Sequence, residues 1–345
     1  MTTRALVLAG GGARGAFQVG MMRELTKTRD FQIIRGVSVG AINGGFLAQA
    51  PARGNSRGAL NEQAIKLEQI WGQLGGALTA AAGQAPQDDP FARMVAMGEA
   101  LKQFIGTIIS RDRLAASGRD FTAGYVSLPG AEYREAKSSE TDILELIRAS
   151  AALPPLFPWV MTTDDLLVDG GYRNVTPLAS AFKAKPRPDE IYVLLTRRID
   201  LRDDRLSHTA IEAQPLDPDW AGRTGDPQKF YAQVSDRLVD ILMDEVYIED
   251  IKRAIEVNSL ARALERLERG AAGQITAALR RPPKYVKLYV LAPKQRFNPA
   301  ARMGYGDTTA EFDPELISGA IEHGAAVAAD ESKWVWHPGR EARGR

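Results

Sequence analysis

The chain contains no cysteine. Disulfides, cysteine-ligated metals and a thiol nucleophile are therefore excluded, and the absence fits a reducing compartment. Histidine is scarce: His208, His323 and His337 are the three present, so an imidazole base has few candidates. No stretch reaches the roughly 18 apolar residues that a spanning helix needs. The apolar run near the start, Ala5–Ala9, has five residues and is too short for a secretory signal. Net charge is also slight. Lys and Arg total 44 against 43 Asp and Glu, so no global field argues for a nucleic-acid partner. These absences predict a cytoplasmic protein, or one peripheral at a membrane surface.

What is present is an ordinary globular composition, 345 residues with 44% hydrophobic, enough for one large α/β domain. The chain is organised around Phe31–Leu47, FQIIRGVSVGAINGGFL. An apolar β-type run leads into Gly36-Val37-Ser38-Val39-Gly40, a G-x-S-x-G, and small helix-compatible residues follow. Strand, tight turn and helix form the context in which such a serine becomes a nucleophile. A helix opening after Ser38 aims backbone N–H groups at the place where negative charge would develop.

Upstream, Ala5–Ala9 reads as a buried strand, Gly10-Gly11-Gly12-Ala13-Arg14-Gly15 as a loop, and Ala16–Thr26 as a helix. Alternating β and α units argue for a parallel sheet covered by helices. Residues 59–78 read as a helix anchored by Ile65, Ile70 and Trp71, and 91–109 as a second, with Met94, Leu101 and Ile105 on one face. Together they make 51–115 a helical insertion or lid over the sheet. Strands are expected at 120–128, 132–136, 165–169, 190–196 and 284–292. Helices are expected from Thr141 to Ala152, over 230–269 with Leu260, Leu264 and Leu267 among its anchors, and over 314–329. The tail 336–345 is basic and expected to be flexible.

The run GGGARG satisfies G-x-G-x-x-G after a strand and before a helix, the pattern of a dinucleotide site. Asp30 has the sequence offset of the acidic partner but precedes its strand instead of ending it. The alternative joins the two glycine features. Loops at the carboxyl ends of neighbouring parallel strands line one crevice, so loop 10–15 faces Ser38 and its N–H groups form an oxyanion hole. For the base, no histidine ends a strand pattern. Asp169 does, ahead of Gly170-Gly171, and would point into that crevice. An aspartate there is also an ordinary turn former. Partial burial would raise its pKa and suit it to base work.

Four motifs in this order resemble the patatin-like phospholipase family: GGGARG, GVSVG, the segment Ala149-Ser150-Ala151-Ala152-Leu153-Pro154-Pro155-Leu156-Phe157-Pro158, and Asp169-Gly170-Gly171. The last departs mildly from the Asp-Gly-Ala of many members and keeps a small residue. The resemblance implies a three-layer α/β/α fold with a mainly parallel central sheet and helical insertions, as a single domain over 1–335. It implies Ser38 as nucleophile and Asp169 as base of a dyad, with Gly11 and Gly12 donating to the oxyanion. Arg14 matches a basic position of the glycine loop. Gly10, Ala13, Gly15, Gly36, Gly40, Gly170 and Gly171 support the motifs. The implied activity is a phospholipase A-type release of fatty acid from phospholipid or related acyl esters, with no cofactor and no metal. The implied partner is a lipid or membrane-surface substrate met transiently; nothing in the sequence names a protein activator. Trp71, Leu78, Phe91 and Met94 are candidates for lipid contact, with a core role the simpler reading. Two alternatives stay open: a Ser-His-Asp esterase or thioesterase using His323 or His337, and a catalytically silent lipid-binding module.

Overall fold

The apolar run near the N-terminus forms β1 (Arg4–Leu8), whose residues alternate between two cores. Leu6 and Leu8 face one apolar cluster, Ala5 and Val7 the other. A strand buried on both faces belongs inside a sheet covered twice over. The computed structural model describes residues 2–86, 89–154, 156–199, 250–267, 284–295 and 313–338. Among them, β1 is joined by β2 (Ile33–Val37), β3 (Asp120–Ser127), β4 (Glu132–Lys137), β5 (Val160–Met161), β6 (Leu166–Asp169), β7 (Glu190–Leu194) and β8 (Lys287–Leu291). The order is β5-β6-β3-β2-β1-β7-β8, with β4 also on β3.

From β3 to β8 through β2, β1 and β7 every pairing is parallel. At the other end the sheet turns antiparallel: β4 and β6 both run against β3, and β5 against β6. Asp169 is thus carried on an antiparallel strand, not on one of the parallel strands whose carboxyl ends line the expected crevice.

The larger core holds α1 (Gly15–Leu25), α2 (Val39–Ala48), α3 (Ser56–Gln84), α4 (Pro90–Ile108), α6 (Ile143–Ser150) and α9 (Pro314–Ala328) on one face. α5 (Arg111–Ala116) connects α4 to β3, and α7 (Leu178–Lys183) covers the opposite face with α8, helical over 250–266. This is a three-layer α/β/α arrangement with a mostly parallel sheet. The rest of 230–269, His208 and the tail beyond 338 lie outside the described residues.

Within the insertion, Met94, Leu101 and Ile105 are buried on α4 and Trp71 on α3 as expected, whereas Ile65 departs from its expected place as an anchor. α3 turns Leu60, Ala64, Leu67, Trp71, Leu74 and Leu78 inward, while Ile65 is 44% exposed. Leu260 on α8 and Leu267 just beyond it are exposed, whereas Leu264 on α8 is buried. Of the four candidates for lipid contact, Trp71, Leu78 and Met94 are core, and Phe91 alone is 60% exposed. No helix among the described residues is long and apolar enough to cross a membrane.

Candidate active site

Ser38 stands between β2 and α2 with φ 56° and ψ −130°, a left-handed backbone that a residue with a Cβ adopts only under restraint. The turn closes tightly because Gly36 has no side chain: a Cβ there would stand 2.3 Å from the Gly40 carbonyl oxygen. Gly40, in the first turn of α2, lies against the Leu8 carbonyl. One restraint on the elbow comes from far away in the chain. The Ser38 N–H donates to Ser150 Oγ at 2.9 Å, and the Ser150 hydroxyl donates to the Gly124 carbonyl on β3.

The glycine loop lies across this turn. Gly10 comes close enough that a Cβ on it would be 3.2 Å from Ser38 Cβ. Both its backbone groups are engaged: its N–H donates to the Val175 carbonyl at 3.0 Å, and its carbonyl accepts from Thr196 Oγ1 at 2.6 Å. Gly11 has φ 154°, and a Cβ on it would meet Thr196 Oγ1 at 2.2 Å, so a side chain would expel either the threonine or the loop. Gly11 is half-buried and Gly12 exposed. Ala13 and Gly15 are buried, and Arg14 closes the short 3-10 turn Gly12–Arg14 at the head of α1.

Beneath the loop runs a buried polar chain. Trp71 Nε1 donates to Asn43 Oδ1 at 2.8 Å, and Asn43 Nδ2 donates to Gly15 O and to Gln18 Oε1. Gln18 Nε2 then donates to the carbonyls of Ala9 and Leu194. Every link is satisfied, as buried polar groups require.

Asp169 ends β6 with 0% exposure. Its Oδ1 accepts the Gly171 N–H at 2.7 Å, which opens the 3-10 turn Gly170–Tyr172. Burial drives its pKa from the ordinary carboxylate range up to about 7, opposed by hydrogen bonding from the Ser38 hydroxyl and the Gly171 N–H. The Ser38 hydroxyl thus lies within reach of this carboxyl, although Asp169 Oδ2 has no partner at full hydrogen-bond geometry.

The sequence candidates outside this cluster go elsewhere. Asp30 pairs with Arg119 at 2.9 Å and accepts from Ser56 at the amino end of β2, so it is not placed to hold a ribose at the glycine loop. His323 on α9 accepts the Lys294 N–H at 2.9 Å and packs edge-on against Phe17. His337 lies 3.3 Å from a Glu331 carboxylate oxygen and against Tyr289 and Trp334.

A family model described as Patatin-like phospholipase matches residues 6–182, just over half of the chain. The chain belongs to the patatin-like phospholipase family. The matched stretch spans the glycine loop, the Ser38 elbow, Ser150 and Asp169. Among solved structures, this patatin-like chain is similar to the crystal structure of VipD from Legionella pneumophila, with a TM-score of 0.40 and 12% identity. The similarity covers 95% of this chain and 66% of that one, less than two thirds of its length. No curated protein matches.

Several residues of the patatin-like site carry no sequence signal of their own. Thr196 pins Gly10 from β7's carboxyl end, and Gly124 receives Ser150 from the middle of β3. Tyr172 donates to the Pro154 carbonyl at 2.9 Å, and its pKa is pushed up to about 12 by burial and then by the Asp169 charge.

Proposed function

We propose that this protein is a serine acyl hydrolase that releases fatty acid from phospholipid or a related acyl-ester lipid, using Ser38 as nucleophile and Asp169 as base. Membership of the patatin-like phospholipase family supports lipid acyl hydrolysis as the general activity. The observation that carries the dyad is the Asp169 carboxyl, fully buried, held near pKa 7 and facing the hydroxyl of a strained Ser38. A base poised near neutral pH both ionises and takes a proton effectively.

In this reading Ser38 Oγ attacks the ester carbonyl carbon and its proton passes to Asp169, directly or through a water. The C=O electrons move onto oxygen, and the N–H groups of Gly11 and Gly12 receive the negative charge. Collapse breaks the ester C–O bond, and the leaving alcohol takes the proton from Asp169. Water then attacks the acyl-enzyme, again giving a proton to Asp169. Fatty acid departs as that proton returns to Ser38 Oγ.

The substrate lies in a bilayer or micelle, so transient contact with a lipid surface is part of the proposal. Exposed apolar side chains near Asp169 support it. Tyr172 is 38% exposed three residues beyond Asp169; Trp159, just before β5, is 41% exposed, and Met161, on β5 beside β6, is 72% exposed. Aromatic rings with one polar end suit a membrane interface. No observation favours the histidine triad, since His323 and His337 are engaged elsewhere. The test is fatty-acid release from phospholipid vesicles by folded Ser38→Ala and Asp169→Asn. Both variants lose release under this reading, and retained activity in Ser38→Ala contradicts it.

A further inference from the structure

We propose that the segment Ser150–Ala152 is the clamp that sets the spacing of Ser38 and Asp169, and that Ser150 is a positioning residue for the nucleophile. The inference rests on the Ser38–Asp169 reading and adds to it residues that touch neither substrate nor reacting atoms.

Three hydrogen bonds converge on this segment. Ser150 Oγ accepts the Ser38 N–H at 2.9 Å and donates to the Gly124 carbonyl at 2.5 Å. Two residues on, the Ala152 carbonyl accepts the Asp169 N–H at 2.8 Å. A hydroxyl has one proton, and Gly124 takes it, so toward Ser38 the oxygen acts as acceptor. The backbone amides of both dyad residues are therefore tied to one short stretch. Ser150 and Asp169 are 0% exposed and Ala152 2%, so water does not stand in for a missing partner.

Local structure explains why this stretch serves. Ser150 is the last residue of α6, and Ala151 leaves the helix with φ −107° and ψ 10°. The Ala152 carbonyl is thereby freed from the helical ladder and meets β6. Ser150 stays on the helix and reaches the elbow across β3. Since Ser38 holds a positive φ that its own side chain disfavours, an outside partner for its N–H keeps the elbow in place. The same bond removes the Ser38 N–H from the set of oxyanion donors.

Replacing Ser150 by alanine leaves the Ser38 N–H and one lone pair of Gly124 O without a partner, with little change in volume. For folded Ser150→Ala we expect kcat to fall about tenfold or more while KM stays within about twofold, the pattern of a lost positioning contact. Ser150→Cys, a near-isostere with a weak donor and acceptor, should lie between the two. Active-site titration with a fluorophosphonate normalises each rate to competent Ser38, so loss of folded protein does not mimic the effect. Wild-type kcat per titrated site in Ser150→Ala overturns the clamp. Should Ser150→Ala fail to fold, Ser150→Cys decides: reduced kcat supports the clamp and wild-type kcat overturns it. Ser38→Ala is measured in parallel. Full turnover there would remove the dyad reading itself, whereas a dead Ser38→Ala beside a fully active Ser150→Ala removes the clamp alone.

Discussion

Ser38 and Asp169 reach the same point of β3 from opposite directions. Val37, just before Ser38, pairs with Gly124, and Asp169 pairs with the next residue, Tyr125. β4 occupies the other edge of β3 over 122–127, so β2 and β6 share one edge and meet end to end. A parallel and an antiparallel strand whose carboxyl ends converge in this way bring together side chains 131 positions apart in the sequence. Gly36 and Gly170, with no Cβ, let the backbones close there, for a Cβ on Gly170 would be 2.3 Å from the Gly124 carbonyl.

The pKa of Asp169 gives a pH dependence of opposite sign for rate and for stability. As a base it must be ionised, so kcat should rise with pH through about 7 and level off above it. The folded carboxyl keeps its proton up to about pH 7, while the unfolded one releases it near 3.8. Between those values the native state binds more protons, so stability falls as pH rises from about 4 to about 7. Asp169→Asn escapes this loss. It should be inactive, and more stable than wild type at pH 8 by up to on the order of 4 kcal/mol, with the gap closing below pH 4. Denaturant titrations at both pH values measure it.

Thr196→Val tests the anchoring of the glycine loop. The hydroxyl donates to Gly10 O in a fully buried place. Its removal should cost about 1–3 kcal/mol of stability and lower kcat more than it changes KM, because the loop shifts away from the developing oxyanion. Steady-state kinetics with thermal unfolding check both.

Asn43→Ala tests the buried chain below. It takes a partner from the Trp71 Nε1–H, from Gln18 Oε1 and from the Gly15 carbonyl, all without access to water. The expected destabilisation is about 2–4 kcal/mol, since three groups lose a partner and a small cavity opens. Urea unfolding reads it directly.

The apolar rim is tested by changing the physical state of the substrate. Trp159→Ser with Met161→Ser should lower fatty-acid release from phospholipid vesicles several-fold. Hydrolysis of a short, soluble p-nitrophenyl ester should stay near wild type, because neither residue belongs to the proposed dyad or oxyanion loop.

Much of this was legible in residue order. The buried strands β1, β2, β3, β7 and β8 announce themselves as apolar runs, and the elbow and glycine loop by glycines that only a tight turn requires. The direction of β6 was not legible. It follows from the free edge of β3 beyond the end of β2, a feature of pairing and not of any one segment. β5 has two residues, too few for any period, and α7 six. The role of Ser150 was hidden because its partner lies 112 positions away, and that of Thr196 because Gly10 lies 186 away. A single buried hydroxyl leaves no periodic trace. The exposure of Ile65 had a different cause: α3 presents the stripe Leu60, Ala64, Leu67, Trp71, and Ile65 lies off it.

Peptide mass spectrometry after reaction with a fluorophosphonate shows whether Ser38 is the nucleophile. Tryptic cleavage after Arg35 and Arg53 yields a peptide in which Ser38 is the only hydroxyl-bearing residue. A phosphonyl adduct is expected on this peptide at pH 8, with labelling of the chain abolished in Ser38→Ala. An unmodified 36–53 peptide from enzyme that the reagent has fully inactivated would contradict it.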